Sequence, residues 1–296
     1  MLDFRRVTIE DKDRITKLFY QEKDRGCEYT FGNVFIWRDI YGTAAAFSDD
    51  GMCVVRFDKE VGAYLFPIGQ GNLKNTVDDL IADSEERGVP FRIIAASRQD
   101  IDKLNALYPG VLKYHENRDF AEYVYNSKDL IELSGKKYHG KRNHISNFAA
   151  RYPDYTFEEI TRDNIDEVRA MSDEWYIEYL GRGDGGLNNE RAAVSSAFDH
   201  FFDLGFKGGF LRAGGAVAAF AIGETINSGT FCVHIEKADY KTDGAYAVIN
   251  RDFARHFCSH YLYINREDDV GIEGLRKAKL SYHPAYITQK FVVEIR

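Results

Sequence analysis

The chain has 296 residues, enough for two domains of ordinary size, with 44% hydrophobic and 14% aromatic residues and only five prolines. That composition excludes a disordered chain. A formal charge of −8 excludes a protein that coats nucleic acid through a general excess of Lys and Arg, while leaving room for a local basic site.

The start, MLDFRRVTIEDKDRI, is charged from the third residue and has no apolar signal-peptide core. No run approaches the roughly 18 to 20 apolar residues of a membrane helix. The four cysteines (Cys27, Cys53, Cys232, Cys258) are far apart without a C-x-x-C pair, and read as reduced, buried thiols. A cytoplasmic protein without a membrane span is expected.

In chain order, LDFRRVTI reads as a strand and a helix follows from Glu10, with Ile15, Leu18 and Phe19 at helical spacing. After the aromatic stretch YTFGNVFIWRDIYG come AAAFS, an Asp-Asp-Gly turn at 49–51 and MCVVRF, the pattern of a β-hairpin. AYLFPIG is a further strand, and TVDDLIADSEERG is an amphipathic helix closed by Gly88. FRIIAAS, the helix DIDKLNALYPG and the strand DFAEYVYN complete the first half. The second half repeats this order: strand YTFEEIT, helix DNIDEVRAMSDEWYIEYL capped by Asp163 or Asn164, and a second helix before FFDLG. A meander then runs through GGFLRA, AVAAFAIGE and GTFCVHIEKA. The loop KTDG, helix AYAVINRDFARHF, strand YLYINRE, helix GLRKAKLSYH and final strand QKFVVEIR follow. The expected organisation is a domain over 1–128, a basic helical connector over 129–152, which lacks the Gly, Ser and Pro of a flexible linker, and a second domain over 153–296 holding the active site.

Strand, helix, antiparallel meander, helix, strand, helix, strand is the order of the acyl-CoA N-acyltransferase (GNAT) fold, here used twice. The strings DLIELSGKKYHGKRNHISNF (129–148), GAYAVINRDF (244–253) and INREDDVGIEGLRKAKLSYHP (264–284) resemble the C-terminal domain of bacterial phosphatidylglycerol lysyltransferases, the DUF2156 family, over essentially the whole chain. The resemblance implies an α/β (α+β) protein of two tandem GNAT-like domains, each a mixed, mainly antiparallel sheet with flanking helices. It also implies transfer of an aminoacyl or acyl group from aminoacyl-tRNA to an amine or hydroxyl. The multi-helix membrane region of the lysyltransferases is missing from these residues, which excludes lipid flipping and leaves the acceptor as a small molecule or a lipid headgroup.

Such a transfer must deprotonate the acceptor, stabilise an oxyanion and protonate the leaving group, and a tRNA or CoA donor brings phosphates. Residues 136–151 hold five cations (Lys136, Lys137, Lys141, Arg142, Arg151) and no carboxylate. They form either a phosphate-binding edge, for a tRNA acceptor end, or a solvated helix face. Tyr138, Arg142 and Ile145 share a helix face, as do Lys137 and Lys141, and Asn143 lies in the same string.

In TFCVHIE the two-residue period sends Thr230, Cys232, His234 and Glu236 one way, lining a cavity or facing solvent. Glu236 is the candidate base or amine binder, with His234 beside it. YLYINRE places Asn265 and Glu267 on one face and Arg266 opposite. At a strand's carboxyl end, Glu267 and Asp268 could hold an α-ammonium and Arg266 a carboxylate or phosphate; a loop stapled by Arg–Asp pairs is the alternative. In GLRKAKLSYHP, Arg276, Lys279 and His283 share a helix face and Lys277 adds a cation. Ala278 followed one turn later by Tyr282 resembles the helix on which many N-acyltransferases carry a tyrosine general acid, which implies that role for Tyr282, with a buried structural tyrosine as the alternative. Asn250 joins the candidate donor-binding set.

The loop 241–246 has one glycine, Gly244, where CoA-binding relatives carry Arg/Gln-x-x-Gly-x-Gly/Ala; Asp243 and Tyr246 disfavour a CoA thioester. His256 and His260 lack a third ligand, so no metal site is assigned. The alternatives to an aminoacyltransferase are a CoA-dependent N-acetyltransferase and a non-catalytic module that binds a small ligand.

Overall fold

The hairpin expected on either side of Asp49 belongs to the first of two sheets in the computed structural model, which describes residues 2–23, 25–59, 62–180 and 185–295. The chain divides into one unit of Met1–Glu122, Asp268–Glu273 and Ile287–Arg296, and another of Tyr123–Glu267 and Gly274–Tyr286.

The first unit contains β1 (Arg5–Arg6), β2 (Thr43–Phe47), β3 (Met52–Phe57), β4 (Ala63–Leu65), β5 (Ile68–Gly69), β6 (Arg92–Ala96), β7 (Leu112–Glu116) and the last strand of the chain, β15 (Phe291–Ile295). Their order is β1-β2-β3-β4-β6-β15-β7, with β5 on β3. All of these pairs are antiparallel except β4 with β6, which is parallel. Helices α1 (Lys12–Phe19), α2 (Phe31–Ile36), α3 (Arg38–Tyr41), α4 (Leu73–Glu86) and α5 (Arg98–Leu107) accompany it. The aromatic stretch is therefore helical. Local chemistry sets the helix starts: the Asn72 side chain caps α4, and Ser97 with Asp100 forms a capping box on α5.

The second unit contains β8 (Tyr123–Asn126), β9 (Thr156–Glu159), β10 (Lys207–Ala213), β11 (Ala216–Asn227), β12 (Thr230–Ala238), β13 (Tyr263–Asn265) and β14 (Tyr286–Ile287), in the order β14-β8-β13-β12-β11-β10-β9. Its helices are α6 (Ser127–Glu132), α7 (His139–Arg151), α8 (Ile165–Leu180), α9 (Gly185–Asp199), α10 (Phe201–Leu204), α11 (Ala245–Phe257) and α12 (Glu273–Leu280). Helix α11 is buried at Ala247, Val248, Ile249 and Phe253 between the sheet and helices α6 and α7, and Phe253 meets Phe231 of β12 at 5.9 Å. Burying each of Val248, Ile249 and Phe253 contributes about 1.5–3 kcal/mol. On the other face, Phe220 of β11 packs on Phe198 of α9, and Lys237 of β12 reaches Trp175 of α8 and Glu190 of α9.

Two strands sit elsewhere than the sequence order suggests. DFAEYVYN, assigned to the first half, supplies β8, which pairs with β13 of the second sheet. QKFVVEIR, assigned to the second half, supplies β15, which inserts between β6 and β7 of the first. A two-residue period reports which face of a strand is buried, not which sheet it joins. Helix α12 also ends at Leu280, so Tyr282 and His283 lie in the turn beyond it, and His283 has a left-handed φ of 52°. They do not continue the helical face of Arg276 and Lys279.

Candidate active site

Strands β12 and β13 run parallel, but their ladder covers only Thr230 to Cys232 against Tyr263 to Asn265. Beyond it the chain leaves β12 for β8, with the Arg266 N–H donating to the Tyr123 carbonyl. Polar side chains from both strands fill the divergence, at the carboxyl ends where open sheets gather ligands.

A bulge decides which face each one takes. Ile222 of β11 pairs with Ile235, but Gly223 pairs with Val233, so His234 is the extra residue. Gly223 permits the close approach: a Cβ there would lie 2.0 Å from the Cys232 carbonyl oxygen. The expected single polar row is thereby split. Cys232 and His234 stay together on one face, while Glu236 turns to the α11 face, where the Asn250 amide donates to its Oε2 at 3.2 Å.

On that α11 face, Arg266 Nη2 donates to Glu236 Oε1 at 2.8 Å, and both side chains are largely buried. The Arg266 guanidinium lies 4.9 Å from the centre of the Tyr282 ring and 5.7 Å from that of Tyr125. Burial alone would lower the Arg266 pKa, but Glu236 and the two tyrosines outweigh it, so the guanidinium stays charged. Lys141 of α7 donates to the Ser281 hydroxyl at 2.7 Å and sits 3.8 Å from the Tyr282 ring centre. Desolvation, reinforced by the Arg266 charge and opposed by Glu236, lowers its pKa to about 8. Burial pushes the Tyr282 phenol up to about 12. The Tyr282 hydroxyl takes no hydrogen bond from a described residue. Among the described residues, Nη1 of Arg266 and Oδ1 of Asn250 are buried without hydrogen-bond partners.

On the other face, His234 Nδ1 lies 2.7 Å from Glu267 Oε1 and 3.6 Å from Cys232 Sγ, and its Nε2 is 3.0 Å from Glu224 Oε1.

The remaining candidates are scattered or structural. Tyr138 is buried and donates to the Tyr282 carbonyl at 3.0 Å, and Arg142 is tied to the carbonyls of Leu133 and Gly135. Lys137 pairs with Asp129 at 3.4 Å, Asn143 contacts His139, and Lys136 is exposed. The basic run therefore largely staples its own loop. Asn265 accepts from the Glu267 N–H, Asp268 from that of Val270, and Lys279 donates to the Arg266 carbonyl. His283 approaches the Lys137 carbonyl at 3.3 Å, Lys277 is exposed and Arg276 half-buried. Helix α11 ends at Phe257, so His260 lies beyond it. All four cysteines are buried thiols that form no disulfide.

Lys141 and Glu224 were missed as site residues. Lys141 reads as one cation among five, because its partial desolvation arises only when the turn after α12 folds onto it. Glu224 does carry a signal: Gly223-Glu224 interrupts the apolar strand AVAAFAIGE, and a strand glycine marks a bulge.

A model of the family "Phosphatidylglycerol lysyltransferase, C-terminal" matches residues 20–294. The chain belongs to this lysyltransferase C-terminal family. A crystal structure of a conserved protein of unknown function from Bacteroides thetaiotaomicron is 40% identical over the whole of both chains, with a TM-score of 0.95. The C-terminal DUF2156 domain of an Agrobacterium fabrum protein assigned as a lysylphosphatidylglycerol synthetase is 14% identical, covering 96% of this chain and 91% of that one, with a TM-score of 0.69. A tandem GNAT protein from the clavulanic acid biosynthesis pathway is 8% identical, covering 100% and 98%, with a TM-score of 0.50. The lysyltransferase C-terminal fold is thus a tandem GNAT-like fold, as the order of elements implied. Among the described residues no helix is long and apolar enough to cross a membrane.

Proposed function

We propose that the protein is an aminoacyl or acyl transferase that uses the Glu236–Arg266 centre, with an aminoacyl-tRNA as donor and an amine or hydroxyl as acceptor. The observation that carries this is the pair of buried polar atoms without partners, Arg266 Nη1 and Asn250 Oδ1. They sit where α7, α11, β12, the end of β13 and the turn after α12 converge. A buried group left unsatisfied costs about 1–3 kcal/mol, and a bound substrate would satisfy both. The family's name describes lysyl transfer to phosphatidylglycerol, which supports an aminoacyl group as cargo and a lipid headgroup or small molecule as acceptor.

The chemistry needs no covalent enzyme intermediate. The acceptor attacks the ester carbonyl and passes its proton to neutral Lys141. Arg266 Nη1 donates to the oxyanion. As the ester C–O bond breaks, the leaving ribose oxygen takes the proton of Tyr282, whose phenol is a stronger acid than the alcohol released. Lysine ammonium and tyrosine phenolate then re-equilibrate through solvent. Glu236 positions Arg266 and offers its carboxylate to the donor's α-ammonium.

The loop before α11 supports a donor other than CoA. At Gly244 a Cβ would lie 2.7 Å from the His144 carbonyl of α7, so α7 closes on the backbone that would cradle a pyrophosphate. Asp243 adds an exposed carboxylate 3.9 Å from His144.

The test incubates purified protein with a panel of charged tRNAs and, separately, CoA thioesters. Cell extract supplies the acceptor pool, and mass spectrometry reads the products. Product from a charged tRNA, reduced at least about 100-fold in Glu236→Gln, supports the reading. Product from CoA thioesters alone, or full activity in Glu236→Gln, overturns it.

A further inference from the structure

The cluster on the opposite face of the second sheet is independent of that centre. We propose that Cys232, His234 and Glu267 form a binding site for a zinc-class divalent cation, with Glu224 orienting the histidine. The donor set is thiol, imidazole and carboxylate, the ligand types zinc prefers. The three atoms Sγ, Nδ1 and Oε1 all lie within 4.8 Å of one another. In detail Sγ–Nδ1 is 3.6 Å, Sγ–Oε1 4.0 Å and Nδ1–Oε1 2.7 Å. Tetrahedral zinc with ordinary bond lengths separates sulfur from nitrogen or oxygen by about 3.5 Å, and nitrogen from oxygen by about 3.3 Å. Moving the Glu267 carboxylate meets both remaining differences: the Nδ1–Oε1 pair opens by about 0.6 Å and the Sγ–Oε1 pair closes by about 0.5 Å. The Nδ1–Oε1 contact is the hydrogen bond the ion would replace.

The surroundings are those of a built site. The side chain of His234 is 2% exposed and Cys232 is fully buried, whereas Glu267 and Glu224 are 24% and 14% exposed and give a route to solvent. Glu224 accepts from Nε2 at 3.0 Å, the carboxylate–histidine arrangement that fixes the tautomer presenting Nδ1 to a metal. Glu267 holds a left-handed φ of 56°, costly for a residue with a Cβ, and the Asn265 side chain fixes it by accepting from its N–H.

The protons the ion would displace follow from the geometry: the 2.7 Å contact between His234 Nδ1 and Glu267 Oε1 is a hydrogen bond that holds one, and a cysteine thiol gives up another when it binds a metal. The three ligands leave a fourth position for water or substrate. The other mixed group among the described residues, Cys27, Glu28 and Glu122, already encloses the Lys290 ammonium.

The full chain, stripped with chelator, is titrated with Zn2+ by calorimetry in buffers of different ionisation enthalpy, and with Co2+ by absorption. One ion per chain, release of about two protons at neutral pH, and a thiolate-to-cobalt charge-transfer band are expected. Cys232→Ser should lose the band while Cys27→Ser keeps it, and Glu224→Gln should keep the band with about 10- to 100-fold weaker binding. The wild-type spectrum needs no variant to fold. Absence of the band at saturating Co2+, or its loss only in Cys27→Ser, overturns the proposal.

Discussion

Lys141 shows how a residue acquires chemistry that its identity does not carry. Its ammonium is partly desolvated beside a guanidinium, and the pKa falls to about 8 from an ordinary 10.5. Between those values the unfolded chain binds more protons than the folded one, so this residue's contribution to stability rises with pH across that window. The same shift makes the free amine available near neutrality. If Lys141 accepts the acceptor's proton, kcat/KM should climb with pH to a plateau above about 8. In Lys141→Met that limb should vanish and activity fall by about 100-fold or more; Lys141→Arg, which keeps the cation but cannot deprotonate, should behave the same way. A pH–rate series on the three proteins decides it, and an unchanged limb in Lys141→Arg would refute the role. Glu236, Asn250, Arg266 and Tyr282 were all nameable from the sequence, Glu236 from the polar row of its strand, Arg266 from the charged run at a strand end and Tyr282 from a resemblance to N-acyltransferase helices. Their mutual contact was not, since it depends on side chains from segments far apart in the chain.

At the scale of the element, the bulge in β12 is the feature that sorts the polar residues. Strict alternation would put Cys232, His234 and Glu236 on one face. One extra residue at His234 breaks that parity and creates two separate clusters from a single strand. Gly223→Ala should expose this dependence: its Cβ cannot coexist with the Cys232 carbonyl oxygen at 2.0 Å, nor with the Phe231 ring edge at 2.6 Å. A backbone shift is required, and a loss of about 1–3 kcal/mol is expected, as for overpacked cores. Urea unfolding measures that loss; a change within about 0.5 kcal/mol would show that the bulge relaxes freely. Elements with strong local signals, such as the 49–51 hairpin and the amphipathic α11, were legible in advance. The end of α12 was not, because SYH continues a helical pattern while the chain turns to bring the Tyr282 ring beneath Lys141 and Arg266.

For the molecule as a whole, each sheet depends on chain from the far side of the sequence midpoint. Strand β15 is hydrogen-bonded on both sides, to β6 through Phe291, Val293 and Glu294 and to β7 through all five residues. Its Phe291 and Val293 are buried, and just before it Lys290 forms buried ion pairs with Glu28 and Glu122. Removing it would leave two internal strand edges unpaired and two buried carboxylates without their cation, a break worth about 3–5 kcal/mol by itself. A fragment of residues 1–128, the domain that the order of elements suggests, should therefore fail to unfold cooperatively. The same fragment with residues 287–296 joined through a flexible linker should regain a sigmoidal transition, since a tethered strand acts at high effective concentration. Circular dichroism melts compare the two directly. A cooperative transition in 1–128 alone would mean that β6 and β7 pair without β15, and that the strand decorates the first unit rather than completing it.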